Sequence, residues 1–240
     1  MELKNRRALV TGAAIRVGRE IALELARAGA DLVVHYRSSA EAAKSTADEI
    51  RATGVACDLV AGDLADPADL ERVAAECAGV DVLVNSASIF PRTPLADVTI
   101  EQWDDIYAAN LRAPFFLART IGLAMKKRGR GAIVNITDWS AERPYRGYLP
   151  YCASKAGLVA LTKGLAKTLA PEVRVNAVAP GPVMLPEDMT DAERDIVLRQ
   201  TPLAREGRPE NVAKAVRFLV ETADFTTGAS LTVDGGRLIN

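Results

Sequence analysis

The chain has 240 residues, of which 49% are hydrophobic and 25% charged, a composition that excludes a disordered protein and favours a folded globular one. A formal net charge of −1 and the lack of a large Lys/Arg cluster argue against a nucleic-acid partner. We find no apolar run long enough to cross a membrane and no signal-peptide core, so we expect a cytoplasmic protein without a membrane partner.

Short apolar segments typical of buried strands alternate with helical patterns along the whole chain. The predicted strands are residues 7–10, 31–36, 55–61, 80–85, 132–138, 174–179 and 231–233. Helical periodicity is clear at 17–28, which ends before a glycine, and at 67–77, which starts with a proline. This alternation predicts one α/β domain over residues 1–240, a Rossmann-like, doubly wound parallel sheet with helices on both faces. In such sheets ligands bind beyond the carboxyl ends of the strands.

The turn after the first strand is the first candidate site. It reads Thr-Gly-Ala-Ala-Ile-Arg-Val-Gly over residues 11–18 and opens a helix whose free N–H groups suit a pyrophosphate. The spacing is neither GxGxxG nor a Walker A loop, so an ordinary strand–helix turn is the alternative interpretation. The candidate cofactor contacts in this turn are Gly12, Arg16, Val17 and Gly18.

The end of the second strand predicts which nucleotide is bound. An NAD site usually carries an acidic residue there, whereas this chain has basic and hydroxyl side chains. A guanidinium fork matches phosphate geometry, so Arg37, helped by Arg16, indicates NADP(H); the alternative is that Arg37 is a solvated loop charge. His35, the chain's one histidine, is also a candidate contact, but a purely structural role is the favoured interpretation for it. The candidate contacts here are His35, Tyr36, Arg37, Ser38 and Ser39.

A tyrosine and a lysine share one face at the start of a long helical pattern. Tyr151 and Lys155 are four residues apart, and the face continues as an apolar stripe. Burying an ammonium is costly, but a fixed cation lowers the pKa of a nearby phenol and lets it exchange protons near neutral pH. The alternative is that Lys155 reaches the surface.

Two more polar residues stand out because of their positions. Asp138 ends the fifth predicted strand, at the edge where sites of this architecture lie. Asn110 lies on the apolar stripe of a predicted helix over 103–125, and a buried amide needs hydrogen-bond partners. It either bonds to a kinked backbone or anchors a proton relay to Lys155. Cys57, Cys77 and Cys152 lack metal-binding spacing, so no metal site is predicted.

Together these motifs resemble the short-chain dehydrogenase/reductase family over essentially the whole chain. The resemblance implies that Tyr151 is the proton donor, that Lys155 lowers its pKa and binds ribose, and that Asn110 holds a water relay. It also implies that Asp63 holds the adenine. The further cofactor contacts that it implies are Leu64, Asn85, Ser86, Ala87, Ser88, Pro180 and Gly181. Family members commonly form homotetramers through the Tyr151 helix, the helix over 103–125 and the last strand, and we expect the same here.

Departures from the common family pattern resemble the pteridine reductase branch. Asp138 stands where the family usually has a catalytic serine, and Phe90 stands where that branch has a phenylalanine that sandwiches the pterin against the nicotinamide. Arg16 and Ser88 would contact both cofactor phosphates and pterin, and Tyr145 would line the substrate pocket. The substrate residues implied are Arg16, Ser88, Phe90, Asp138, Tyr145 and Tyr151.

We therefore expect NADPH-dependent reduction of a dihydropterin or related folate, in which hydride reaches a ring carbon and a proton reaches the adjacent nitrogen. The alternative is an NADPH-dependent carbonyl reductase of the same family, acting for example on a 3-oxoacyl thioester. A third hypothesis is a non-catalytic NADP-binding sensor, against which the Tyr151–Lys155 pair argues. Residues 182–191, which include Glu187, Asp188 and Asp191, are a candidate lid.

Overall fold

A single parallel sheet organises the computed structural model, which describes residues 1–185 and 189–240. Glu187 and Asp188 of the candidate lid lie outside the described residues. Within the described ranges the sheet has seven strands in the order β3-β2-β1-β4-β5-β6-β7. The strands are β1 (Arg7–Val10), β2 (Asp31–Tyr36), β3 (Cys57–Ala61), β4 (Val82–Asn85), β5 (Gly131–Ile136), β6 (Val173–Pro180) and β7 (Ser230–Val233).

Eight α-helices of the described part connect the strands and cover the sheet. They are α1 (Arg16–Arg27), α2 (Ala40–Ala52), α3 (Pro67–Glu76), α4 (Ile100–Tyr107), α5 (Ala113–Lys127), α6 (Leu149–Leu169), α7 (Asp191–Arg199) and α8 (Pro209–Glu221). Helices α1, α2 and α8 pack on one face of the sheet, and α3, α5 and α6 pack on the other. The predicted fold, a doubly wound parallel sheet with helices on both faces, is confirmed.

Alternate residues of each central strand enter two separate cores. Ala8 and Val10 pack into the core under α1, whereas Leu9 between them packs into the core under α5. Both faces of the strand are thus dry, which explains why the central strands read as continuous apolar runs instead of alternating patterns. The carboxyl ends of these strands are held at one edge, and the order reverses between β1 and β4, where ligands bind in such sheets.

Among the differences between the predicted elements and the structure, two bear on the site. Strand β5 ends at Ile136, so Asp138 lies beyond the ladder, where its side chain accepts the Ser140 N–H and begins a 3₁₀ turn, Trp139–Ala141. The helix predicted over 103–125 is two helices, α4 and α5, joined by a π-helical turn at Ala108–Arg112. A π turn places one extra residue in the helix and is frequent at functional sites.

Within the part of the chain that the structure describes, none of the helices combines the length and the apolarity needed to span a bilayer. The three cysteines, all of them in that part, are buried and free. Across residues 1–185 and 189–240, no three His, Cys, Asp or Glu side chains come together as a metal site.

Candidate active site

A cavity of about 480 Å³ lies at the carboxyl edge of the sheet. Each of the first six strands sends the segment that follows it into the wall of this cavity, so that side chains far apart in sequence meet there. One residue from each segment, in strand order, is Gly12, Arg37, Asp63, Ser86, Asp138 and Gly181. The cavity therefore lies at the edge of the sheet where the sequence predicted the site.

The glycine-rich turn is packed so closely that its glycines cannot be replaced. Gly12 has φ +66°, and a Cβ added there would lie 2.9 Å from Cα of Ala87. A Cβ on Gly18 would lie 2.4 Å from the carbonyl oxygen of Gly12, so the start of α1 sits directly on the turn. Thr11 Oγ1 accepts the N–H groups of Ser86 and Ala87 at 2.9 and 3.0 Å and joins the turn to the loop after β4. This backbone cradle at a helix start fits a pyrophosphate.

His35 supports the same turn through two hydrogen bonds of its ring. Its ring is 2% exposed, its Nδ1 accepts the Gly12 N–H at 3.2 Å, and its Nε2 lies 3.1 Å from the carbonyl oxygen of Gly62. These partners suit a neutral ring with the proton on Nε2. Burial lowers the pKa of His35 to about 4. The histidine therefore lines the cavity and also has the structural role that the sequence favoured.

We expect acid to destabilise the protein through His35. Its pKa in the folded state lies below that of the unfolded chain, so the unfolded state takes up the proton first and stability falls as the pH drops below about 6.5. Between about pH 7 and about pH 5 the loss of unfolding free energy should be about 2 kcal/mol. Urea denaturation of the wild type and of His35→Gln at both pH values measures this; an equal pH dependence in the two proteins would rule out His35 as its source.

Basic side chains gather beyond the end of β2. Arg37 remains 61% exposed and its guanidinium lies 3.8 Å from the Asp63 carboxylate. Arg16 has φ +55° and donates to the carbonyl oxygen of Met184 at 2.7 Å, which holds it at the cavity wall. Both guanidinium groups keep further N–H donors for an anion. With the glycine cradle and the neutral His35, this donor set fits NADP(H).

Tyr151, Lys155 and Asp138 converge at the opposite end of the cavity. The Tyr151 hydroxyl donates to Oδ2 of Asp138 at 3.0 Å. Lys155, only 3% exposed, donates to the carbonyl oxygen of Ile136 at 2.9 Å, and its Nζ lies 5.5 Å from the centre of the Tyr151 ring. The alternative in which Lys155 reaches the surface is wrong. The structure thus brings the three predicted side chains together in one water-poor corner.

The pKa values of these three groups follow from burial and from each other. Burial raises the pKa of Asp138 and lowers that of Lys155 to about 8. Burial, followed by the charge of Asp138, raises the pKa of Tyr151 well above 10. Lys155 Nζ lies 5.5 Å from the centre of the Tyr151 ring, and its expected lowering of the Tyr151 pKa stays a prediction beside these two effects. The phenol keeps its proton at neutral pH, as a proton donor must.

An aromatic cluster forms the wall beside Tyr151. Phe90 is stacked on Tyr148 with ring centres 4.3 Å apart and 5° between the planes, and it meets the Tyr151 ring edge-on at 4.5 Å. It is still 45% exposed, so part of its ring surface is free. Tyr145 is missing from the described residues that line the cavity; its hydroxyl lies 3.4 Å from Oδ1 of Asp138 instead. The contact of Tyr145 with Asp138 is therefore observed, and its expected contact with substrate stays a prediction.

Asn110 and Asn85 are also missing from the described lining of the cavity. Asn110 is fully buried in the π turn, where it accepts the Ile89 N–H and donates to the Ile89 carbonyl oxygen, both at 2.9 Å. It also accepts the Ser88 hydroxyl at 3.1 Å. Of the two roles left open, the structure shows a bond to backbone, that of Ile89, and the proton relay to Lys155 stays a prediction. Asn85 donates to Oδ1 of Asn135 at 2.8 Å inside the sheet, and its expected position along the cofactor stays a prediction.

The remaining predicted cofactor and substrate residues do line the cavity, and sequence reasoning missed others. The missed residues share small or apolar side chains, which present backbone or methyl groups to the cavity and carry no chemical motif. They are Ala14, Ile15, Gly62, Ala65, Ile89, Ala109, Ile136, Thr137 and Val183. Their one signal in the sequence is that most of them follow a predicted strand end.

The fold and the site define a nucleotide-dependent oxidoreductase of the Rossmann-like class. Residues 12–237 match the family model described as enoyl-(acyl carrier protein) reductase. A solved structure described as a short chain dehydrogenase/reductase family protein is 37% identical, with a TM-score of 0.90 and complete coverage of both chains. The chain belongs to the short-chain dehydrogenase/reductase family.

Relatives with more specific names point in one chemical direction. The 3-oxoacyl-[acyl-carrier-protein] reductase FabG of Staphylococcus aureus is 37% identical over 239 residues, 95% of this chain and 96% of that protein. The L-xylulose reductase of Mesocricetus auratus is 36% identical over 244 residues, 99% and 98% of the two chains. A gluconate 5-dehydrogenase of Burkholderia cenocepacia, in complex with NADP and tartrate, is 32% identical with a TM-score of 0.93, covering 100% and 97%. These names support NAD(P) dependence and favour the carbonyl alternative over the pteridine branch.

Proposed function

We propose that the protein reduces a pteridine, a dihydropterin or a related folate, with NADPH. The observation that carries the proposal is Oδ2 of buried Asp138 at 3.0 Å from the Tyr151 hydroxyl. A carboxylate cannot donate to a carbonyl oxygen, and its charge opposes the negative charge that grows on that oxygen during carbonyl reduction. It can accept N–H groups of an amino-pyrimidine ring, and when protonated it can supply a proton for a ring nitrogen.

NADPH bound in this cavity would supply the hydride. The turn at Gly12 and Gly18 would hold its pyrophosphate, Arg16 and Arg37 its 2′-phosphate, and Lys155 its nicotinamide ribose. The exclusion of water at the far end, where Lys155 and Tyr151 are buried, suits chemistry on a reactive imine.

The chain's own residues then supply the proton. Tyr151 gives the proton of its hydroxyl to the substrate nitrogen and takes one from the carboxyl group of Asp138. Burial raises the pKa of Asp138, so a protonated carboxyl group becomes accessible nearer to neutral pH than an exposed one. The free surface of Phe90 offers a stacking platform for a flat heterocycle.

The second candidate is reduction of a 3-oxoacyl thioester, which the Staphylococcus aureus relative favours. In that reaction Tyr151 would protonate the carbonyl oxygen, and Asp138 would have to be protonated to donate to the same oxygen. Tyr151 and Lys155 suit both reactions, so Asp138 is the residue that separates them.

NADPH oxidation with a substrate panel tests the proposal. The panel contains dihydropterins, dihydrofolate, quinonoid pterins and 3-oxoacyl thioesters. We expect turnover of at least one pterin or folate with a kcat/KM above that of each 3-oxoacyl compound. Turnover of the thioesters alone would establish the second candidate and end the first.

The choice of NADP(H) predicts the effect of reversing the charge at Arg37. We expect Arg37→Asp to weaken NADPH binding by about tenfold or more, because a charge-assisted bond to the 2′-phosphate is lost, and to leave NADH binding nearly unchanged. Fluorescence titration with both nucleotides measures this. Lys4→Asp, an exposed charge reversal just before β1 at the opposite edge of the sheet, is the matched control. Equal weakening of NADPH binding in both variants would contradict a specific phosphate contact.

We further propose a homotetramer and a cytoplasmic location. What supports the homotetramer is the exposure of Ile100 and Trp103 on α4 and of Leu123 on α5, the helices expected at the interface. The free thiols support a reducing compartment. Light scattering of the purified protein tests the assembly.

A further inference from the structure

A short chain of hydrogen bonds lies behind Asp138, on the side away from Tyr151. The indole N–H of Trp139 donates to the hydroxyl oxygen of Tyr145. The Tyr145 hydroxyl in turn donates to Oδ1 of Asp138 at 3.4 Å. Neither the motifs nor the relatives described above assign any role to Trp139, although it follows Asp138 directly.

The indole is fixed in one orientation. It is 8% exposed, and its ring meets the Tyr145 ring at 77° with the centres 5.3 Å apart. The guanidinium group of Arg237 covers it at 5.4 Å and is itself held by the Val197 carbonyl oxygen and the Gln200 side chain. A buried N–H needs a partner, and the Tyr145 oxygen is the partner in reach.

This arrangement decides where the single hydroxyl hydrogen of Tyr145 points. The indole N–H occupies a lone pair of the Tyr145 oxygen, so the hydroxyl hydrogen is directed to the acceptor next to it, Oδ1 of Asp138. Oδ1 also accepts the Ser140 N–H at 2.7 Å. An oxygen that already accepts two hydrogen bonds has little room for a proton of its own. A proton on Asp138 therefore belongs on Oδ2, the oxygen beside the Tyr151 hydroxyl.

We propose that Trp139 is a positioning residue that acts through Tyr145: it keeps Oδ1 of Asp138 as an acceptor and so places the carboxyl proton on Oδ2, facing Tyr151. The inference rests on the proposed role of Asp138 as the source of the proton. In each turnover the Oδ2–H bond breaks as the proton joins the Tyr151 oxygen, and the Tyr151 O–H bond breaks as the substrate gains its proton. Asp138 is left as a carboxylate and takes its next proton from water.

The test compares pH profiles of kcat for Trp139→Phe, Tyr145→Phe and the double variant, with the best substrate of the panel. Tyr145→Phe removes the donor to Oδ1, and Trp139→Phe lets that donor turn away. Both changes disfavour the carboxylate, so the limb that falls with rising pH should move up by about 0.5 to 1 unit in each single variant. We expect kcat at the plateau to fall about three- to tenfold, because the proton is no longer confined to Oδ2. The double variant should show no further shift, because Trp139 acts only through Tyr145.

Trp103→Phe is the matched control, since it removes the chain's other tryptophan, which is 43% exposed, and keeps an aromatic ring at the proposed subunit interface; light scattering checks that its assembly is that of the wild type. Its profile should superimpose on that of the wild type. The proposal is overturned if the Trp139→Phe profile keeps the wild-type shape, even at a lower rate, or if the shifts of the two single variants add. Where Trp139→Phe does not fold, β-(3-benzothienyl)alanine in the Trp103→Phe background replaces only the N–H of residue 139 by sulfur, and the same shift is required.

The two proposals fail in different experiments. The substrate panel alone decides between pteridine and 3-oxoacyl reduction. The pH profiles are measured with whichever substrate is turned over, so a positive panel with unshifted profiles removes the role of Trp139 and leaves the pteridine proposal intact. If only thioesters are turned over and the profiles are shifted, the pteridine proposal fails and the role of Trp139 stands. The shift reports the Asp138 carboxyl group and not the substrate.

Discussion

Replacing Tyr151 by phenylalanine is expected to lower kcat by roughly 10²–10⁴-fold, the usual contribution of a positioned proton donor. The change removes only the hydroxyl that donates to Asp138. The ring can keep its edge-on contact with Phe90 and its position under Lys155. We therefore expect NADPH binding to stay within about twofold of the wild type, since the lost group acts on the transition state and not on the ground state.

Single-turnover kinetics and nucleotide titration of the same preparation separate these two quantities. Tyr107→Phe is the matched control, because its ring packs against the small buried cluster of Ile106, Tyr151 and Cys152 but is missing from the described cavity wall. Its kcat should be close to that of the wild type. A Tyr151→Phe enzyme with wild-type kcat would remove the phenol from the mechanism. If the wild type binds NADPH and turns over nothing in the panel, the sensor hypothesis replaces the enzyme.

The sheet could be predicted from the sequence, because strands that are buried on both faces are mostly apolar along their length. Strands β1 and β2 were predicted with the bounds that the structure shows. The bounds of β4 show the limit of that reasoning. Val80 is 1% exposed, yet the ladder starts only at Val82. Hydrophobicity reports that a residue is buried and not whether its backbone is paired, so strand ends drift by a residue or two. The break between α4 and α5 was missed for a similar reason, since apolar periodicity continues through the π turn.

Within the candidate site, the side chains proposed to take part in proton transfer could be predicted. Residues that contact those side chains and not the cavity could not. Tyr151, Lys155 and Asp138 stood out as polar groups in apolar surroundings. Tyr145 was expected to contact substrate from the family resemblance, and the sequence does not show that its hydroxyl lies 3.4 Å from Oδ1 of Asp138. The direction of the Tyr151 pKa also depends on burial and on a 3.0 Å contact, which exist only once the chain is folded.

Changing Asp138 to serine should reverse the substrate preference. We expect pterin turnover to fall by roughly 10²-fold or more, because serine cannot transfer a proton to Tyr151 as a carboxyl group can. Turnover of 3-oxoacyl thioesters should rise, because the new hydroxyl can donate to a carbonyl oxygen. Removal of the carboxylate also removes a charge that raises the pKa of Tyr151. Values of kcat/KM for one pterin and one thioester, measured with both proteins, give the change in preference.

Asp138→Asn separates the shape of the carboxyl group from its proton. Asparagine keeps the planar group and can still accept through its carbonyl oxygen, but it supplies no acidic proton, so it should lose pterin turnover as the serine variant does. Its NH2 group can donate to a carbonyl oxygen as the serine hydroxyl can, so a gain in thioester turnover is expected in both variants, and the shared loss of pterin turnover reports the missing proton. Unchanged pterin turnover in Asp138→Ser would show that Tyr151 is reprotonated without the carboxyl group. The contact of Asp138 with Tyr151 would then be structural, and the carbonyl chemistry named by the relatives would be the better account of this site.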